Sequence, residues 1–208
     1  MSKSIRVCVV ALLVASYAVP ASAQNAINIF SEIRDAVPLR YFDPATTAAQ
    51  PGAPNTLVIG FHETDPVRFR ASLQDGNSIG TRLAADTLSV VVTAPSGHYI
   101  SSITCHLSGR GAVDTPGDAR ASANLVVNGQ PIDLGAFGGA QFPSTGAAWS
   151  SSQTITFENQ ALTSVPVSLT AHLFAFAVNA LASAEVDLTS ATLVVALTPS
   201  TTTASAQN

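Results

Sequence analysis

The sequence predicts an all-β protein, an antiparallel β-sandwich or jelly roll of roughly nine short strands. Three observations lead there. The apolar segments are rich in Val, Thr and Ser, which favour strands over helices. Several of them alternate apolar and polar side chains with a period of two, the pattern of a strand with one face on a core and the other in water. Turn signals such as Ala94-Pro95-Ser96-Gly97 and Asn128-Gly129 separate the runs.

The chain opens with Lys3 and Arg6, an apolar run from Val7 to Ala15, Pro20, and the small-residue site Ala21-Ser22-Ala23. That order reads as a cleavable secretory signal peptide, residues 1–23, with an apolar part too short for the ~20 residues of a membrane span. The mature chain is then expected to start at Gln24, with no membrane span, in the periplasm or outside the cell. Residues 24–54 read as a leader and loop: a short apolar cluster at Ile27, Ile29, Phe30 and Ile33, then a Pro- and Ala-rich stretch holding Pro44, Pro51 and Pro54. Residues 55–198 read as the β-sandwich, and 199–208 as a disordered Thr/Ser/Ala tail.

Within the sandwich, Thr56–Phe61 is a strand and Val67–Leu73 a second. Asp86–Thr93 alternates cleanly, with Leu88, Val90 and Val92 on one face. In His98–Leu107, Tyr99, Ile103, Cys105 and Leu107 are expected to share a face. Ala121–Val127 and Gln130–Leu134 form a hairpin around Asn128-Gly129, because both turn residues tolerate positive φ. The Gly-, Ser- and Ala-rich stretch 135–152 reads as a long loop, followed by a short strand with Ile155 and Phe157 inward. In Val165–Val178 the residues Val165, Val167, Leu169 and Leu173 share one parity, which Phe174 and Phe176 break, so a bulge is expected near His172. In 183–197 the parity switches from Val186 and Leu188 to Leu193, Val195 and Leu197, which places a break at Ser190-Ala191.

After residue 23 the chain has no lysine. Seven arginines face all 13 acidic residues, a net charge of −6. An acidic surface lacks the basic footprint that nucleic acid or anionic lipid requires. With Cys8 in the signal segment, Cys105 is the only cysteine left, so an intramolecular disulfide is excluded. A buried apolar thiol is the expected state.

The motifs that could carry chemistry are sparse. His62-Glu63-Thr64-Asp65 is the densest run of ionisable side chains in the domain. It reads either as a ligand-binding or acid–base site at a turn before Pro66, or as a solvated strand end. The zinc-protease helix motif is absent. Cys105 and His106 are adjacent on a strand, so they face opposite ways and form no dyad. The acidic loops holding Asp75 and Asn77, and Asp114 and Asp118, offer oxygen ligands to calcium, although Asp-Gly and Pro-Gly are also ordinary turn formers. No other cofactor is expected. Trp149 reads either as a ring on which a glycan stacks or as an anchor that pins its loop.

The stretches Asp86–Gly97 and Ala184–Val195 resemble strands of small bacterial exported β-sandwich proteins. The likeness covers two short segments and assigns no functional residue. The expected function is non-enzymatic: binding, adhesion or surface structure, by self-association or with a glycan or protein ligand. The alternative is a calcium-dependent glycan-binding or hydrolytic jelly roll on which His62, Glu63, an Asp loop and Trp149 converge.

Overall fold

The computed structural model describes residues 28–36, 41–62, 69–73, 80–114, 116–138, 142–158, 160–177 and 182–200. The expected signal segment 1–23 and tail residues 201–208 lie outside them. The described chain folds into eleven strands and no helix. They are β1 (Phe30–Asp35), β2 (Phe42–Gln50), β3 (Ala53–Phe61), β4 (Arg70–Leu73), β5 (Gly80–Thr93), β6 (His98–Val113), β7 (Gly117–Val127), β8 (Gln130–Gly138), β9 (Ala147–Thr156), β10 (Ser164–Ala177) and β11 (Ala184–Pro199).

The strands form two antiparallel sheets. Sheet A has the order β1-β5-β10-β7-β8, and sheet B the order β2-β3-β11-β6-β9. In sheet B, β4 shares with β3 the flank of β11 opposite β6. The inner faces close on one core. Leu88, Val90, Val92, Leu125, Val165, Val167, Leu169 and Leu173 come from sheet A; Leu57, Ile59, Ile103, Cys105, Val186, Leu188, Leu193 and Val195 come from sheet B. This is the antiparallel sandwich that the period-two pattern predicts.

Several local expectations hold. Asn128 (φ 49°) and Gly129 (φ 78°) form the tight turn between β7 and β8, both in the left-handed region. The register of β11 against β6 shifts between Leu188 and Ser190, where the parity of buried residues changes. Cys105 is fully buried, and that burial pushes its thiol pKa up to about 12.

Four expectations are corrected. First, the stretch 24–54 is not a leader outside the sandwich over its described length, because Phe30 and Phe42 are buried and seat β1 in sheet A and β2 in sheet B. The Pro-rich part extends as a strand because Pro44 sits on an edge strand, where a missing N–H breaks no ladder bond. Thr47 donates to the Asp43 carbonyl (2.7 Å) and accepts from Gly60 N–H (2.9 Å), closing a bulge there. Second, Tyr99 is only half-buried, and Ile100 takes the inward position through a register shift against Ala196 and Leu197. Third, most of 135–152 is strand: β8 continues to Gly138 and β9 begins at Ala147. The Ser- and Ala-rich composition reflects an edge strand with one watered face. Fourth, β10 has no bulge at His172. Its pairing with β5 and β7 is continuous, and alternation persists because Ala171, Ala175 and Ala177 supply the inward positions.

Two polar side chains are buried among the described residues, Thr47 and Asp86. Asp86, 4% exposed on the inner parity of β5, accepts the backbone N–H groups of Tyr41 and Phe42 on Oδ2 (both 2.9 Å) and that of Thr87 on Oδ1 (2.8 Å). A buried carboxylate is tolerated when its oxygens are hydrogen-bonded. Here it ties the start of β2 in sheet B to the middle of β5 in sheet A. On β6, Gly109 and Gly111 lie beneath aromatic rings. A Cβ at Gly109 would stand 2.0 Å from the Asp187 carbonyl oxygen and 2.7 Å from the Trp149 ring; one at Gly111 would stand 2.5 Å from the Phe142 ring.

Three outcomes follow. Asp86→Ala leaves buried N–H groups of β2 unpaired and lowers unfolding stability in urea by about 2–4 kcal/mol. Gly109→Ala overpacks against backbone as well as ring and costs about 1–3 kcal/mol in the same assay. Iodoacetamide near pH 8 leaves Cys105 unmodified in the folded chain and alkylates it in denaturant, read by intact mass.

Candidate functional site

Of the residues singled out as candidate ligand or metal binders, four are described: Trp149 on β9, His62 after β3, Asp114 after β6 and Asp118 on β7. Trp149 lies on β9, 8% exposed, its ring stacked on Phe137 (centroids 5.2 Å apart, planes at 24°). Its indole N–H donates to the Asp187 carbonyl at 3.1 Å. It is a packing anchor in the core. The cleft beside it, lined by Leu107, Ala123, Leu134, Gly135 and Phe137, has space for about one water molecule.

His62 follows β3, where its backbone N–H donates to the Tyr41 carbonyl at 2.9 Å. It lies near Asp43. Slight burial pushes the Asp43 carboxyl up, but the Thr46 hydroxyl, the Ala45 and Thr46 N–H groups and the charge of His62 outweigh that and hold it below its ordinary value. The Asp43 carboxylate accepts from Ala45 N–H and the Thr46 hydroxyl, each at 2.9 Å, so it serves a local turn. Glu63, Asp75 and Asn77 lie outside the described residues.

Asp114 accepts from the Ser183 hydroxyl at 2.7 Å at the end of β6, whereas Asp118, on the outer face of β7, accepts from Arg120 Nε at 2.8 Å. Each carboxylate has its own partner. Among the described residues no three His, Cys, Asp or Glu side chains gather as a metal site. Cys105 points into the core and His106 out to solvent, so the adjacent pair forms no nucleophile–base dyad.

A different feature emerges from the unbroken alternation of β10. Because Leu173, Ala175 and Ala177 face the core, Phe174 and Phe176 are on the outer face of sheet A, both half-buried. Leu83 of β5 lies directly opposite Phe174 and is 64% exposed, the most exposed large apolar side chain among the described residues. On the other flank, Arg120 of β7 is the partner of Phe174, and Asp118 the partner of Phe176. One row across the sheet thus reads Leu83, Phe174, Arg120, Gly138, and the next reads Thr81, Phe176, Asp118. Gly138 matters to the first row, because a Cβ there would stand 2.6 Å from Arg120 Cγ. The mostly exposed Arg120 guanidinium is steadied by Asp118. The outcome is an apolar, aromatic platform with a cation–carboxylate pair along one side. Composition hides it, since the phenylalanines read as core residues. The signal that could have found it is the run of alanines at 171, 175 and 177, which keeps the inward parity without a bulge.

The outer face of sheet B is different in kind. It carries Thr104, His106, Ser108, Ser150, Ser152, Thr154 and Thr192, with Val58 (40% exposed). Among the described residues, no helix is long and apolar enough to cross a membrane.

No known protein family and no curated protein matches the chain. Solved structures that it matches include a family 35 carbohydrate-binding module from an environmental isolate, at 17% identity and TM-score 0.25, covering 62% of this chain and 77% of that one. A second is TmCBM61 in complex with beta-1,4-galactotriose, at 9% identity and TM-score 0.25, covering 83% and 91%. A third is a CBM4 protein at 12% identity and TM-score 0.22, covering 69% and 70%. At these identities and TM-scores the ligands of those proteins do not transfer to this chain.

Proposed function

We propose that this chain is an exported, non-enzymatic binding protein that holds a glycan on the outer face of sheet A. The observation that carries the reading is the placement of Phe174 and Phe176 outward, with Leu83 beside them. Two aromatic rings on alternate residues of one strand stand about 7 Å apart along it. Leu83 is largely in water and the two half-buried rings beside it extend that apolar surface, and such patches mark contact surfaces. A sugar ring suits this one: its C–H face packs on an aromatic ring, while its hydroxyls require polar partners at the rim. Arg120, Asp118, Thr81 and His172 stand there as donors and acceptors.

Supporting the non-enzymatic part, Asp43, Asp114 and Asp118 each hold a local hydrogen-bond partner, and among the described residues no three His, Cys, Asp or Glu side chains gather. Supporting export, residues 1–23 carry the charged, apolar and small-residue order of a signal peptide. The negative net charge and the single arginine at the platform favour a neutral glycan over a polyanion.

The test is affinity gel electrophoresis of the chain from Gln24 against a panel of soluble polysaccharides. At least one neutral polysaccharide retards the wild type. Phe174→Ala and Phe176→Ala each weaken that retardation about tenfold, equivalent to the ~1.4 kcal/mol that separates decades of affinity, and leave the melting temperature nearly unchanged. Retardation by none of the panel, or undiminished retardation of the double variant, contradicts the reading.

A further inference from the structure

The strands that end the two sheet orders, β1, β8, β2 and β9, are not equally protected. β1 is six residues long, carries Glu32, Arg34 and Asp35, and breaks register between Ser31 and Arg34. β2 holds Asp43 and Pro44 and breaks register twice. β8 holds Pro131 and Asp133 and breaks register opposite Ser122 and Asn124. Bulges, prolines and charges are the devices by which sheet proteins block edge-to-edge pairing. β9 has none of them. Its ten residues, Ala147–Thr156, include no charge, proline or glycine, and it runs against β6 without a break from Gly111↔Ala147 to Ser102↔Thr156.

Which β9 backbone groups are free follows from one bond. Phe157 N–H donates to the Ser101 carbonyl (2.9 Å), so odd-numbered residues aim their N–H and C=O at β6. The N–H and C=O groups of Ala148, Ser150, Ser152, Thr154 and Thr156 therefore point away from β6. No other described strand pairs with that edge, and these five residues are all exposed.

We propose that β9 is a self-association edge, on which two copies of this chain pair antiparallel about a twofold axis through Ser152. A second copy is the fitting occupant because the edge is self-complementary. In that register Ser150 faces Thr154 of the second copy and Ala148 faces Thr156, and a Ser–Thr hydroxyl pair is one of the cross-strand pairs that stabilise antiparallel strands. The free N–H and C=O groups of one copy meet the same groups of the other, giving about ten new ladder bonds. With no charge on the strand, the twofold axis brings no like charges together, and closure at a dimer follows from the isologous contact. The interface is on sheet B and does not depend on the glycan reading of sheet A.

Sedimentation velocity from low to high micromolar concentration tests it, with three variants that leave the β6 ladder intact. The wild type shows a concentration-dependent dimer. Ser152→Pro removes an N–H that points to the free edge, and Ser152→Lys places charge on the axis; both shift the chain to monomer while circular dichroism keeps the strand signal. Under mild oxidation Ser152→Cys forms a covalent dimer, since directly opposed Cα atoms at about 5.5 Å lie within disulfide range. A wild type that stays monomeric throughout, or a dimer that persists in both Ser152→Pro and Ser152→Lys, overturns the proposal.

Discussion

The two-residue period of β10 is the constraint on which most of this molecule depends. β10 lies at the centre of sheet A and pairs without interruption on both sides, with β5 and with β7. Such a strand has no freedom to shift by one residue, because a one-residue slip exchanges its entire core face with its solvent face. Holding Val165, Val167, Leu169 and Leu173 inward therefore commits Ala171, Ala175 and Ala177 inward and Phe174 and Phe176 outward. The small inward residues at the far end of the strand are matched by Ala119 and Ala121 on β7 and Ala184 on β11. The core is thin in side-chain volume at the end where the outer face is aromatic. One alternation thus fixes the core and the surface patch together.

The second organising feature is how the chain joins its sheets without disulfides. The start of β2 in sheet B is tied to β5 in sheet A by the Asp86 carboxylate, which supplies acceptors that a pure hydrocarbon core would deny to Tyr41 and Phe42. Around the same corner Tyr41 stacks on Phe69 at 4.7 Å and Phe42 meets Phe69 edge-on at 5.2 Å. On the opposite side of the sandwich, Gly109 and Gly111 let Trp149 and Phe142 lie against the β6 backbone, while the Ser151 hydroxyl donates to the Leu134 carbonyl of the other sheet. Glycine in a strand interior weakens it, but here the missing side chains make room for large rings. The two open sides of the sandwich are thus closed by different chemistry: a buried carboxylate with aromatics on one, rings on glycine on the other.

The sheet architecture was legible in the sequence wherever one strand carried a complete local signal. Leu88, Val90 and Val92, the Asn128-Gly129 turn and the parity change after Leu188 needed no partner to be read. What was not legible depends on neighbours. The segment 42–54 looks like a loop because its prolines and alanines suit an edge strand that only Asp86 and β3 hold in place. Residues 147–152 look like a loop because an edge strand with a watered face needs no apolar side chain there. Phe174 and Phe176 look like core because phenylalanine is usually buried, and only the inward alanines argue otherwise. The candidate site was missed for that reason, while of the residues chosen for chemical reactivity the described ones stand at the end of β3 (His62), at the end of β6 (Asp114) and on β7 (Asp118), and Trp149 is buried. Reactive side chains stand out in a sequence, but an outward face on a sheet is a property of register.

The outward placement of Phe174 and Phe176 is the claim that a single experiment reaches most directly. Single cysteines at Leu173, Phe174, Ala175 and Phe176, in the chain from Gln24 with its buried Cys105 left in place, are labelled under native conditions with a bulky maleimide. The structure requires fast labelling of Phe174→Cys and Phe176→Cys and protection of Leu173→Cys and Ala175→Cys. Labelling in the reverse pattern, with cysteines at 173 and 175 reactive and those at 174 and 176 protected, would mean that β10 shifts parity near His172, and the sheet A platform would not exist.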